Sequence, residues 1–177
     1  MRLKDSRENR MHSSKFKPFS YYQCRIPDEF GFAPMHWHSE FEINFIRDGC
    51  AEFTCGEEKF TSNGGDIIII QPNVMHSVYP LPNTHQIYDT LVFSEEIFGG
   101  TETDRYITEC IKPLVTGNMR IQMHITPEHP YYSKLASAVE TIFSCAKGDT
   151  PSLDMLMRSE LYRLFWLLET DAESDMG

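Results

Sequence analysis

A chain of 177 residues, 41% hydrophobic and 24% charged, has the length and composition of one globular domain with a core of its own and a small appendage. Its net charge of −10 argues against gripping nucleic acid unaided, because binding a phosphate backbone needs clustered Lys and Arg. No apolar run approaches the roughly 18–20 residues that span a bilayer, and the polar start Met1-Arg2-Leu3-Lys4-Asp5 is unlike a signal peptide, so the sequence reads as cytoplasmic with no membrane partner.

Residues 1–17 concentrate Arg2, Lys4, Arg7, Arg10, Lys15 and Lys17 against Asp5 and Glu8, and read as a flexible basic arm, solvated rather than docked over a pocket. From 18 to 125 turn signals recur at short intervals: Asp48-Gly49, Cys55-Gly56, Asn63-Gly64-Gly65, Pro72-Asn73 and Pro80-Leu81-Pro82-Asn83. Between them Phe41-Glu42-Ile43-Asn44-Phe45-Ile46 and Asp66-Ile67-Ile68-Ile69-Ile70 read as antiparallel strands, with further strands near 19–26, 74–79, 86–93 and 119–125. Residues 95–117 mix a helix with a turn at Thr116-Gly117-Asn118.

From Pro130 the apolar period becomes helical. Tyr132, Leu135, Val139, Ile142, Phe143 and Ala146 share one face of a helix that stops near Gly148, read as a left-handed cap. Thr150-Pro151 starts a second helix, Thr as N-cap and Pro at the first helical position. Its stripe of Leu153, Leu156, Met157, Leu161, Leu164, Phe165 and Leu168 is expected to pack inward, while Met155, Tyr162 and Trp166 fall on the opposite side. Either the preceding helix covers that second stripe or it forms a homodimer interface, making 126–170 a helical dimerisation segment ahead of an acidic tail at 171–177.

The chemistry concentrates between Met35 and His76. Side chains two apart on a strand share a face, so His36 and His38 both point into a lumen while Trp37 points out. Glu42 lies about 13 Å beyond His38 on a straight strand. It joins them only if the chain bends near Ser39-Glu40; otherwise it sits elsewhere in the lumen and Glu40 is the local substitute. His76 returns to the same cavity after the Pro72-Asn73 turn. Three His and one Glu suit iron, manganese, nickel or zinc, or they hydrogen-bond an organic ligand without any required cofactor. Asn44 and Ile46 share parity with Glu42 and are further pocket candidates, and Tyr88 and Phe93 join them if their strand faces inward. The five cysteines, Cys24, Cys50, Cys55, Cys110 and Cys145, lack Cys-x-x-Cys spacing and read as buried free thiols.

His36-x-His38-x-x-x-Glu42-x6-Gly49 resembles the first cupin motif, and Gly65 through His76 resembles the second, with Gln71 and Asn73 replacing its usual proline and glycine. Asn tolerates the left-handed turn that the glycine serves. The run His36-Trp37-His38-Ser39-Glu40-Phe41-Glu42-Ile43, the block Gly65–His76 and the two late helices together resemble the N-terminal sensor domain of AraC-type transcriptional regulators over nearly the whole chain. That resemblance implies a mainly β fold: a cupin-like β-barrel (double-stranded β-helix or jelly roll) followed by an antiparallel helix pair. It implies a non-enzymatic barrel that binds a small-molecule effector such as a sugar through His36, His38, Glu42, Asn44, Ile46, His76 and Tyr88. The helices would form a homodimer through Met155, Tyr162 and Trp166, and DNA would be reached only through a helix-turn-helix domain absent from this sequence, making the chain a fragment of a longer regulator or a stand-alone relative. The alternative is a metal-dependent cupin enzyme, a dioxygenase or isomerase, with His36, His38, Glu42 and His76 as ligands.

Overall fold

The computed structural model describes residues 6–8, 10, 12 and 17–174, with side chains as far as 169. Eight strands are present: β1 Phe19–Ile26, β2 Ala33–His36, β3 Phe41–Cys55, β4 Glu58–Asn63, β5 Ile67–Ile70, β6 His76–Pro80, β7 Gln86–Phe93 and β8 His124–Ile125. Three α-helices follow β7 or β8: α1 Lys112–Thr116, α2 Tyr132–Ala146 and α3 Pro151–Ser174. The acidic tail therefore begins inside α3, and its last three residues lie outside the described ones.

One strand organises the sheet. The first part of β3 pairs with β7 and β5, and its second part pairs with β4 and β6, so β3 belongs to two sheet halves. The path β1-β7-β3-β5-β8 carries β2, β4 and β6 as side branches, and no pairing closes it among the described residues. The described strands form an antiparallel sheet whose two halves face each other across a shared interior. Ile26, Ile46, Ile68, Ile70 and Tyr88 from one half form a buried cluster with Ala51, Phe53, Cys55 and Val78 from the other.

The register shifts between Ile46 and Asp48, so Arg47 is an extra residue opposite β7. Because strand side chains alternate, one inserted residue reverses which parity faces inward. Even-numbered Ile46 points into the interior before the bulge, and odd-numbered Ala51, Phe53 and Cys55 do so after it. Gly49 follows at φ 77°, where an added Cβ would lie 1.9 Å from the His85 carbonyl oxygen. Only glycine fits there.

The opposite face of the first half is buried as well. Phe41, Ile43, Phe45, Ile67, Ile69, Leu91 and Phe93 pack against Leu135, Val139, Ile142 and Phe143 of α2 and Leu161, Leu164 and Phe165 of α3. Burial on both faces explains the uninterrupted Ile67–Ile70 run, all four residues 0% exposed. It also corrects Phe93, which stacks on Phe41 on the helix side and does not line the interior.

Three local expectations are corrected. Residues 119–125 make only the two-residue β8, because the Gln71 side chain occupies the preceding backbone: its Nε2 donates to Leu114 O and Met119 O at 2.9 Å, and its Oε1 accepts from Ile121 N–H at 3.3 Å. Gly148 is not a left-handed cap; Lys147 closes α2 in right-handed geometry, and a Cβ at 148 would sit 2.2 Å from Leu153 Cδ1. Leu156, assigned to the core stripe, is 44% exposed and joins Met155 on the outer face of α3.

A buried charge ties this helix layer to the sheet. Asp89, 1% exposed on β7, accepts from Tyr21 Oη at 2.7 Å and Arg47 Nε at 2.8 Å, and Lys147 Nζ lies 3.6 Å away. Arg47 also reaches Glu140 of α2. Burial alone would raise the Asp89 carboxyl, but the hydrogen bonds from Tyr21 and Arg47 outweigh it and hold it below its ordinary value. Its stabilising contribution is therefore present above the ordinary aspartate value of about 3.9 and lost as pH falls through the lower folded value. Urea unfolding of Asp89→Asn should show a loss of about 3 kcal/mol at pH 7 and a smaller gap from wild type at pH 3; an equal gap at both would refute this account.

Candidate functional site

The short β2 ends at His36, directly opposite His76 on β6, which in turn lies opposite Cys55 on β3. The chain then bends at Ser39 and Glu40 before β3 begins at Phe41. That bend cancels the separation a straight strand would impose: His38 Nε2 lies 3.0 Å from Glu42 Oε2. The Pro72-Asn73 turn supplies the other edge, with Asn73 at φ 65° donating its N–H to His38 O at 2.8 Å. Asn therefore does serve where the second motif has glycine.

The three imidazoles converge, with ring centroids 4.1 Å apart for His36–His76, 5.0 Å for His38–His76 and 5.9 Å for His36–His38. Each directs Nδ1 at a backbone carbonyl: His36 to Pro34 O at 2.7 Å, His38 to Glu40 O at 3.2 Å and His76 to Val74 O at 2.9 Å. For His36 and His76 a proton held on Nδ1 leaves the Nε2 lone pair for a ligand, the arrangement common around metal-bound histidine, whereas His38 Nε2 donates to Glu42. His76 Nε2 is buried with no hydrogen-bond partner and stands 3.7 Å from Glu42 Oε2. One donor atom from each histidine falls within 4.8 Å of the others, so the triad could hold a metal ion. Imidazole donors with a nearby carboxylate fit iron, manganese, nickel or zinc.

Glu42 anchors the network. Its Oε1 accepts from Asn44 Nδ2 at 2.7 Å, and Asn44 Oδ1 accepts from Thr90 Oγ1 at 2.6 Å. Asn44 is 0% exposed and both its amide ends are engaged. Burial would raise the Glu42 carboxyl, yet the His38 hydrogen bond and the neighbouring His76 hold it well below the usual carboxylate range. Burial opposes the charge on His38, but Glu42 prevails and raises it; for His36, burial together with His76 lowers it.

Ile46 and Tyr88 lie deeper, 1% and 6% exposed, in the apolar cluster with Phe53. The expected residues thus divide into a polar group, His36, His38, Glu42, Asn44 and His76, and an apolar floor, Ile46 and Tyr88. Thr90 and Cys24 were missed. Thr90 shares strand parity with Tyr88, which was a usable signal; Cys24 Sγ lies 4.0 Å from Thr90 Oγ1. Glu8 and His12 of the arm also reach this region, with the His12 ring 5.6 Å from that of His38. A separate surface hollow of about 420 Å³ is lined by Asp104, Arg105, Tyr106, Glu109 and Cys110, with Arg105 and Glu109 paired at 2.7 Å.

In metal-free protein, His38 should titrate above and His36 below the ordinary histidine value of about 6.5. The His38 contribution to stability is then full below that value and lost as pH rises through the higher folded one; that of Glu42 is lost as pH falls through its depressed value. Substituting Glu42→Gln should lower the His38 titration midpoint in imidazole proton NMR, and an unmoved midpoint would exclude Glu42 as the cause.

A family model described as the AraC-like ligand binding domain matches residues 20–165. An uncharacterized HTH-type transcriptional regulator, YdeC of Bacillus subtilis (strain 168), is 32% identical over 66 residues, 37% of this chain and 23% of that protein. The match thus spans about a quarter of the curated relative's length. Among solved structures, a cupin protein from Bacteroides fragilis is 19% identical over 49% of this chain and 72% of its own, with TM-score 0.40. The plu4264 protein from Photorhabdus luminescens is 25% identical over 45% of this chain and 65% of its own, with TM-score 0.39.

Proposed function

The chain belongs to the AraC-like ligand binding domain family, and on that premise we propose that it is the effector-sensing and dimerisation domain of a transcriptional regulator. The observation that carries this reading is the convergence of His36, His38, His76 and Glu42, backed by Asn44 and Thr90, on one buried polar site in a domain of that family. These groups offer donors and acceptors to a small polar effector such as a sugar, and the apolar floor of Ile46 and Tyr88 favours a ligand with a carbon face. In this reading the domain senses and does not catalyse. DNA contact belongs to a helix-turn-helix domain elsewhere in the regulator, in keeping with the acidic charge of this chain.

The signal needs a path out, since a ligand that binds two arrangements equally shifts neither. Thr90 faces the site while the adjacent Asp89 faces the helices, and Asp89 joins Arg47 and Lys147. A shift of β7 on effector binding would therefore be felt by α2. For dimerisation, the outer face of α3 offers Met155 at 73% and Trp166 at 61% exposure, with Leu156 beside them. Tyr162 contributes less, because it packs against Phe98 and Tyr106 of its own chain.

A second reading, a metal-dependent enzyme, is favoured by one observation: the unpartnered His76 Nε2 within the triad. His36, His38, His76 and Glu42 would hold the metal, which when bound supplies Lewis-acid polarisation of a substrate oxygen. Asn44 and Thr90 would keep the Glu42 carboxylate oriented.

Two measurements test the regulator reading. Light scattering should give a dimer mass for the wild type and a monomer mass for Trp166→Glu, because a charge at a buried apolar contact costs more than such an interface supplies; an unchanged dimer mass would exclude this face. A thermal-shift screen of sugars and related polar metabolites should find a ligand whose stabilisation disappears in His38→Ala. Metal-dependent turnover of a hit by the wild type would instead support the enzyme.

A further inference from the structure

The arm brings an acid and an imidazole, Glu8 and His12, that the site described so far does not use. Trp37, between the two histidines of β2 and its continuation, is bracketed by a parallel bridge: its N–H donates to Ser6 O at 3.1 Å, and Glu8 N–H donates to Trp37 O at 3.0 Å. Alternation sends Arg7 over the Trp37 ring, 5.4 Å from its centroid, and places Glu8 Oε2 3.8 Å from His36 Nε2. His12, 3% exposed, holds the same carboxylate oxygen at 2.9 Å through Nε2. Its Nδ1 faces the Tyr22 hydroxyl at 3.1 Å, and its carbonyl accepts from Ser20 Oγ at 2.7 Å. Glu8 is thus fixed at both its backbone and its side chain.

Ligands of one transition-metal ion lie about 2.0–2.2 Å from it and hence about 3.0–3.5 Å from each other. Glu42 Oε2 stands 3.0 Å and 3.7 Å from His38 and His76 Nε2, and Glu8 Oε2 stands 3.8 Å from His36 Nε2. The two carboxylates approach the triad from different elements, Glu42 beside His38 and His76 and Glu8 beside His36. His12 stands to Glu8 as a hydrogen-bonding partner that orients a ligating carboxylate. We propose that Glu8 is a further carboxylate ligand for a divalent transition metal held by His36, His38 and His76, so that metal binding fastens the already docked Glu8 segment to the site. The inference rests on the metal-holding reading of the triad. It makes the arm a reporter of whether the site is loaded.

The test titrates Co²⁺ into the whole chain as wild type, Glu8→Gln and His38→Ala. Visible d–d absorption follows the metal, and mass spectrometry follows tryptic cleavage after Arg7 and Arg10. Wild type should bind Co²⁺ and be cleaved more slowly at both arginines when loaded. Glu8→Gln should bind at least ~10-fold more weakly, with a changed spectrum and no slowing of cleavage, and His38→Ala should lose the metal. Equal affinity, spectrum and protection in wild type and Glu8→Gln, with loss in His38→Ala, would overturn the role of Glu8 and leave the triad site standing. Failure of wild type to bind Co²⁺ would overturn both.

Discussion

A carboxylate inside a protein must be given donors or it will not stay charged, and Glu42 is the group around which this molecule meets that requirement. His38 and Asn44 satisfy its two oxygens, and Thr90 satisfies Asn44 in turn. Each of these partners needs a separate backbone device. The bend at Ser39–Glu40 brings His38 back over Glu42, alternation on β3 puts Asn44 on the same side, and the β3–β7 register places Thr90 directly opposite Asn44. Removing Glu42 would leave the His38 Nε2 donor and the Asn44 amide without their acceptor.

The same strand that carries Glu42 also divides the molecule into its layers. Before the bulge at Arg47, β3 alternates between helix-facing Phe41, Ile43 and Phe45 and site-facing Glu42 and Asn44. After it, the strand closes the interior with Ala51, Phe53 and Cys55. The extra residue is put to use: Arg47 stands over Phe45, at 4.2 Å from its ring centroid, and links Asp89 to Glu140. The helix layer and the polar site are thus held on opposite faces of β3 and β7, the arrangement a domain needs if a ligand is to be sensed by helices that it never touches.

The arm adds a further layer. An isolated exposed ion pair would contribute little, but Glu8 is held by a backbone bridge, by buried His12 and through it by Tyr22. In the sequence these residues sit in a stretch dominated by Arg and Lys, which reads as solvated tail. The Glu8-x-x-x-His12 spacing was present to be noticed, yet nothing local says that either residue meets His36 or His38, because that meeting depends on pairing with Trp37, about thirty residues away.

By itself the sequence determined the strands near 19–26, 41–46, 66–70, 74–79 and 86–93, the late helices and the grouping of the polar residues, because these follow from local periodicity, turn chemistry and the His36-x-His38-x-x-x-Glu42 spacing. The helix start at Pro151 and the left-handed Asn73 were legible for the same reason: a backbone conformation selects its residue. Long-range pairing decided the rest. The division of β3 between two sheet halves, the parity reversal at Arg47, Phe93 on the helix side and Gln71 clamping residues 114–121 all turn on which distant segment supplies a hydrogen bond. Hydrogen-bond partners far apart in the chain leave no periodic trace in it, so only the tertiary structure could settle them.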